Sequence, residues 1–146
     1  MPTTRRHRVL DAGPQEVWDV VADPHHLPRW WPRVQRVEAV DADRWTQVFM
    51  TGKGKPVRAD YRLVSNEPPR RRTWAQEVEG TPFERVLREA ITEVDLHADR
   101  GRGTEVTIEV RQRLRGFARL GGFMVRRATR RLLDEALEGL GAACER

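Results

Sequence analysis

The sequence contains one cysteine, Cys144, one tyrosine, Tyr61, and one serine, Ser65. A lone cysteine excludes an internal disulfide, and nothing else hints at an oxidising compartment. Ser65 lies outside any Gly-x-Ser-x-Gly elbow, which all but removes serine-hydrolase chemistry. No apolar run approaches the roughly 20 residues of a membrane span. Residues 1–10 are polar and Arg-rich, without the apolar core of a secretory signal. These absences lead us to expect a soluble, cytoplasmic protein. Lysine is scarce as well: Lys53 and Lys55 stand alone among 27 basic residues. Gly52-Lys53-Gly54-Lys55 lacks the spacing of a phosphate-binding loop and reads as a hairpin turn.

The formal charge of +5 and the pI near 10.5 raise nucleic acid or an acidic membrane as partners. Against this, the preference for arginine over lysine is what a GC-rich genome produces without selection for anion binding. The arginines are also interleaved along the chain with 22 acids. The one dense cluster, Arg126, Arg127, Arg130 and Arg131, is answered by Asp134, Glu135 and Glu138. Helical spacing makes Arg130–Asp134 and Arg131–Glu135 i,i+4 pairs, so the cluster reads as a solvated helix face. No nucleic acid partner is expected.

What the chain does have is order in its patterning. Thr4–Ala12 alternates as an edge strand, and Gly13-Pro14 opens a short helix with Pro14 in its first turn and Glu16 at the positive dipole end. Asp23-Pro24 stops that helix, and a second short turn or helix covers His25–Trp31. Six strands follow over Val34–Val40, Arg44–Met50, Val57–Val64, Arg71–Val78, Phe83–Leu96 and Thr104–Leu114. In the last, Val106, Ile108, Val110 and Leu114 share one face and charged residues the other. From Phe117 the period becomes helical, with Leu120, Phe123/Met124, Ala128, Leu132/Leu133, Ala136/Leu137, Leu140 and Ala143/Cys144 forming one stripe. The order β-α-α-β-β-β-β-β-β-α predicts an α+β domain spanning residues 1–146. A twisted antiparallel sheet wraps a long C-terminal helix, and a mostly apolar pocket lies between them.

This order resembles the START-like superfamily, also called SRPBCC, and within it the polyketide cyclase/dehydrase and lipid transport branch, whose fold is the helix-grip. The resemblance is carried by Gly13-Pro14 with Glu16-Val17-Trp18, by Ala22-Asp23-Pro24 and by Pro28-Arg29-Trp30-Trp31-Pro32. Further on it is carried by Glu67-Pro68-Pro69-Arg70-Arg71, Gly103-Thr104-Glu105-Val106-Thr107 and Ala136-Leu137-Glu138-Gly139-Leu140. It runs from about Arg8 to about Cys144. All of these are structural motifs, and none lays a catalytic residue onto this chain; one such fold hosts carriers, cyclases, hydrolases and chaperone-binding modules.

Candidate pocket residues are Trp30, Trp31, Phe49, Tyr61, Trp74, Arg88, Ile108, Gln112, Phe123 and Met124. Trp30 and Trp31 either split between core and cavity mouth or both pack in the short helix. Gln112 shares the inward parity of Val110. If the Asp99–Gly103 hairpin pairs Val94 with Val106, Arg88 becomes its inward neighbour and needs a ligand carboxylate or an acid such as Glu77. A one-residue change of register would put Leu87 and Glu89 inside instead. His25 and His26 beside Asp23 lack the i,i+4 pairing of helical metal ligands, so neither metal nor cofactor is expected. His7 and His97 read as solvent-facing, and Cys144 has no recognisable base.

The leading functional expectation is a carrier or sensor of a hydrophobic small molecule such as a lipid, quinone or polyketide-like compound. The alternative is an aromatase/cyclase-like enzyme that shapes a poly-ketone chain. A protein-interaction module, including a homodimer through the outer sheet face or the Arg-rich helix face, is third.

Overall fold

The computed structural model describes residues 3–101, 103–116 and 121–145. The chain runs β1 (Thr3–Leu10), α1 (Pro14–Val21), α2 (Leu27–Trp30), β2 (Val34–Glu38), β3 (Arg44–Met50), β4 (Pro56–Glu67), β5 (Arg71–Gln76), β6 (Leu87–Ala98), β7 (Thr104–Leu114) and α3 (Gly122–Cys144). Two 3-10 turns, Pro24–His26 and Pro82–Arg85, precede α2 and β6. All seven strands form one antiparallel sheet in the order β1-β7-β6-β5-β4-β3-β2, curved around the long C-terminal helix. Each strand from β2 to β6 pairs with the next along the chain. β1 joins from the other end of the sequence, pairing from Thr3↔Arg111 to Leu10↔Thr104.

Strands β3 and β7 occupy the residues that alternation assigned to them. β6 does not begin at Phe83. Pro82, with fixed φ and no N–H, instead opens a 3-10 turn that ends at Arg85. In α1, Pro14 takes the first turn beside Glu16, and Val17, Trp18, Val20 and Val21 are buried. The core they enter holds Leu10, Val94, Val106 and Ile108 from the sheet, all fully buried, and Leu133, Ala136, Leu137 and Leu140 from α3.

The burial of α3 departs from the expected stripe. It begins at Thr129, whereas Phe123, Met124 and Ala128 are exposed. Thr129 is where α3 meets the last inward position of β7 to carry a polar side chain: its Oγ1 lies 3.4 Å from Gln112 Oε1. The expected helix start at Phe117 and the Leu120 position lie outside the described residues. Further along, α3 passes so close to α2 that a Cβ on Gly139 would sit 2.6 Å from the Trp30 carbonyl oxygen.

The charge pairs differ too. Asp134 accepts from Arg6 Nε of β1 at 2.8 Å, not from Arg130, because β1 lies directly against α3. Both side chains are about half exposed (43% and 51%), so solvent screens the pair. Asp134→Ala is expected to cost less than about 1 kcal/mol in urea unfolding; a much larger loss would mean the pair has a structural role that its exposure does not predict.

On the outer face, Glu93 and Asp95 follow each other along β6. Burial, then the hydrogen bond and charge of Asp95, raise the Glu93 pKa above its ordinary 4.5. A raised carboxylate pKa means that charging Glu93 opposes folding. That penalty is absent below the ordinary value and complete above the folded one. Glu93→Gln should therefore raise the melting temperature at neutral pH and change it little at pH values below the ordinary carboxylate range. Equal gains at both pH values would rule out ionisation as the cause.

Candidate functional site

Strand alternation carries Trp45, Gln47 and Phe49 of β3 to the inner face of the sheet, the one turned toward α3. Ala59, Tyr61 and Leu63 of β4 join them, with Arg72, Trp74 and Gln76 of β5. Register then sets them side by side, Tyr61 between Trp45 and Gln76, and Trp74 between Leu63 and Thr92. Trp31 leaves α2 on extended backbone and adds its ring to theirs.

The aromatic rings form a continuous chain. Trp30 meets Trp31 edge-on at 5.4 Å, Trp31 meets Trp74 at 6.1 Å, and Trp74 meets Trp45 at 6.1 Å. Trp45 then stacks on Tyr61 at 6.1 Å with the planes 9° apart. Each such pair adds about 0.5–1.5 kcal/mol beyond its buried area.

Exposure grades along this face. Toward Leu10, Leu96 and Val106 it is sealed, whereas Phe49, Tyr61, Gln76, Ala90 and Gln112 stay partly accessible. These five lie toward one end of the sheet, the end of the 51–55 turn, the start of β6 and the close of β7. Two small residues withhold volume beside amides: Ala59 pairs with Gln47 and Ala90 with Gln112.

The polar groups here are undersupplied with partners. Gln47 is 2% exposed, and its Oε1, Gln76 Nε2 and Trp45 Nε1 are buried without a hydrogen-bond partner among the described residues. Each such group costs about 1–3 kcal/mol. Burial pushes the Tyr61 phenol well above its ordinary pKa of 10, so it remains a proton donor. The arrangement is an apolar, aromatic wall studded with uncharged donors and acceptors.

The buried arginine is Arg72, not Arg88. The hairpin pairs Val94 with Ile108 instead of Val106, which brings Ala90 opposite Gln112. A register shift between Leu87 and Glu89 then leaves Arg88 exposed. Arg88 borders an open polar depression of about 510 Å³ with Arg44, Arg62 and Arg113. Glu77, named as its partner, pairs with Arg44 at 3.0 Å. Arg72 is 4% exposed, lies 5.7 Å from the centre of the Trp45 ring, and donates from Nη1 to Asn66 Oδ1 at 3.1 Å. Burial lowers its pKa while the charge of Asp23 opposes the shift. The crevice between Arg72, Trp45, Trp74 and the Val21–Leu27 segment is too narrow for a water molecule.

Of the remaining candidates, Ile108 is fully buried core, and Trp30 packs its backbone against Gly139. Phe123 and Met124 stand on the surface at 68% and 73% exposure. Phe83 belongs to the 3-10 turn, not to a strand. Sequence reasoning missed Trp45, Gln47, Arg72 and Gln76; their shared parity with Phe49 and Trp74 is the signal that could have found them. Away from this face, His25 Nδ1 lies 2.9 Å from Asp23 Oδ1. No group of three or more His, Cys, Asp or Glu among the described residues could hold a metal ion. Burial pushes the Cys144 thiol up to about 11, which leaves it protonated and unreactive at neutral pH. No described helix is long and apolar enough to cross a membrane.

Comparison with known proteins gives a consistent answer. The model of a family described as "Polyketide cyclase / dehydrase and lipid transport" matches residues 1–145. The di-domain ARO/CYC BexL from the BE-7585A biosynthetic pathway superposes with a TM-score of 0.79 at 16% identity, over 99% of this chain. The chain spans 50% of the length of BexL. A conserved protein from Geobacillus kaustophilus gives a TM-score of 0.79 at 17% identity, covering 97% of this chain and 93% of its own. A START superfamily protein from Mycobacterium smegmatis gives 0.77 at 9% identity, covering 98% and 97%. At these identities the structures speak for the fold alone. No curated protein matches significantly.

Proposed function

We propose that this chain, which belongs to the polyketide cyclase/dehydrase and lipid transport family, binds one hydrophobic small molecule against its inner sheet face. The molecule carries carbonyl or hydroxyl groups as well as an apolar body. The observation that carries this reading is Gln47, almost fully buried, with an amide oxygen that no described residue satisfies. An uncharged amide between two aromatic residues suits a neutral polar group on an otherwise apolar ligand. Trp31, Phe49, Tyr61 and Trp74 supply the apolar contact, and Gln76 and Gln112 supply further polar contacts toward the accessible end.

A cyclase reading is favoured by one feature. Tyr61 stays protonated and sits between Trp45 and Gln76, where it could donate to a ketone oxygen while the wall constrains the chain's shape. Native mass spectrometry of purified protein, followed by denaturing extraction, separates the two. A stoichiometric apolar compound supports the carrier. Empty protein that turns over a poly-ketone supports the enzyme.

The Gln47→Leu variant tests the site itself. Removing an unsatisfied buried amide should leave stability unchanged or raise it by about 1 kcal/mol, while affinity for the extracted compound falls roughly tenfold. Unchanged affinity would remove Gln47 from the site.

A further inference from the structure

Four of the exposed apolar side chains gather at one end. Met50 closes β3, Val86 follows the Pro82–Arg85 turn, and Phe123 and Met124 open α3; they are 38%, 48%, 68% and 73% exposed. The antiparallel register assigns them a common end of the sheet. Met50 pairs with Pro56, Leu87 pairs with Leu114, and Arg115 N donates to the Val86 carbonyl at 2.9 Å. The approach of Thr129 to Gln112 brings the start of α3 to the same end. It is also the end at which Phe49, Gln76 and Gln112 remain accessible.

This end is basic. Lys53 and Lys55 stand on the β3–β4 turn, Arg85 in the 3-10 turn, Arg115 after β7, and Arg126 and Arg127 at the start of α3; all six are exposed. None takes part in an ion pair among the described residues. The nearby acids are Glu79, Glu84 and Glu89; Glu84 already accepts from Gly80 N at 2.6 Å, and Glu89 lies 3.5 Å from Arg113.

We propose that this end docks on an anionic lipid membrane, with Phe123, Met124, Val86 and Met50 entering the headgroup boundary and the six cations meeting lipid phosphates. Large apolar side chains held out in water beside cations that have no ion pair among the described residues match a charged interface above an acyl layer. Nucleic acid would satisfy the cations but leave Phe123 and Met124 without use, and a protein interface, which favours Phe, Met and Arg, is disfavoured by Lys53 and Lys55, a residue type depleted from interface cores. The proposal stands whatever molecule the inner face holds.

Vesicle flotation tests it, using phosphatidylcholine alone and phosphatidylcholine mixed with phosphatidylglycerol. Wild type should float with the anionic vesicles roughly tenfold more than with neutral ones, and high salt should weaken this binding. F123S/M124S and R126E/R127E, each checked for an unchanged melting profile, should both abolish flotation. Wild type that ignores anionic vesicles overturns the proposal. So does F123S/M124S floating as well as wild type, since binding would then be charge adsorption alone. A wild type that self-associates instead, while F123S/M124S stays monomeric, also overturns it and makes this end a protein interface.

Discussion

Gly139→Val should destabilise the fold by about 2–4 kcal/mol and abolish the near-ultraviolet signature of the packed tryptophans. The Cβ position lies 2.6 Å from the Trp30 carbonyl oxygen, 3.0 Å from its Cα and 3.2 Å from its carbonyl carbon. All three atoms are backbone, so no side chain can rotate aside. Helix α2 must retreat, and it carries Trp30 and Trp31 with it, opening the ring chain between Trp31 and Trp74. Helix propensity works the other way, favouring alanine over glycine by about 1 kcal/mol. The steric term is larger, so Gly139→Ala should still lose about 1 kcal/mol net. Denaturant unfolding of both variants decides the matter. An alanine variant as stable as wild type would show that α2 shifts freely.

Trp74→Ala should cost about 3–5 kcal/mol, a large share of the 5–15 kcal/mol that stabilises a typical domain. Trp74 is 3% exposed and touches both Trp31 and Trp45. Its removal leaves a void bounded by rings that cannot collapse into it. Leu133→Ala, at a fully buried position of α3, is the matching control, with an expected loss of about 2–5 kcal/mol. If the inner face binds the ligand, saturating compound should restore part of the lost stability to Leu133→Ala but little to Trp74→Ala. Equal restoration would place the ligand away from Trp74.

The fold was legible because its patterning is regular. The alternation of Thr104–Leu114 and the turn residues at Asp99–Gly103 and Pro68-Pro69 mark strands without reference to distant contacts. The site was less so. Gln112 falls on the face that its own strand suggested, whereas the sequence leaves the parity of Phe49, Tyr61 and Trp74 open and the ladder sets it. Arg88 failed because one extra residue near Leu87 shifts the ladder, and local sequence carries no sign of it. Gln47 and Arg72 were missed for a different reason: polar residue types suggest solvent, although they share the parity of Phe49 and Trp74, and pairing with Ala59 and Val94 places both inward. Phe123 and Met124 fit the helical stripe, but periodicity does not report which turns of a helix are covered, and these two are exposed.

Strand β1 is synthesised before the other described strands, yet its ladder partner β7 is the last of them. Its partner β7 lies far down the chain; Arg5 and Glu109, which bond at 3.0 Å, are 104 positions apart. Until most of the polypeptide has emerged from the ribosome, Thr3–Leu10 has no ladder to join. Long-range pairing of this kind slows folding and prolongs exposure of sticky strand edges. The three arginines at positions 5, 6 and 8 suit that interval, since charge along an unpaired strand discourages annealing to a neighbouring nascent chain. Replacing them with threonine should therefore leave the finished molecule close to its original stability but lower the soluble yield during expression.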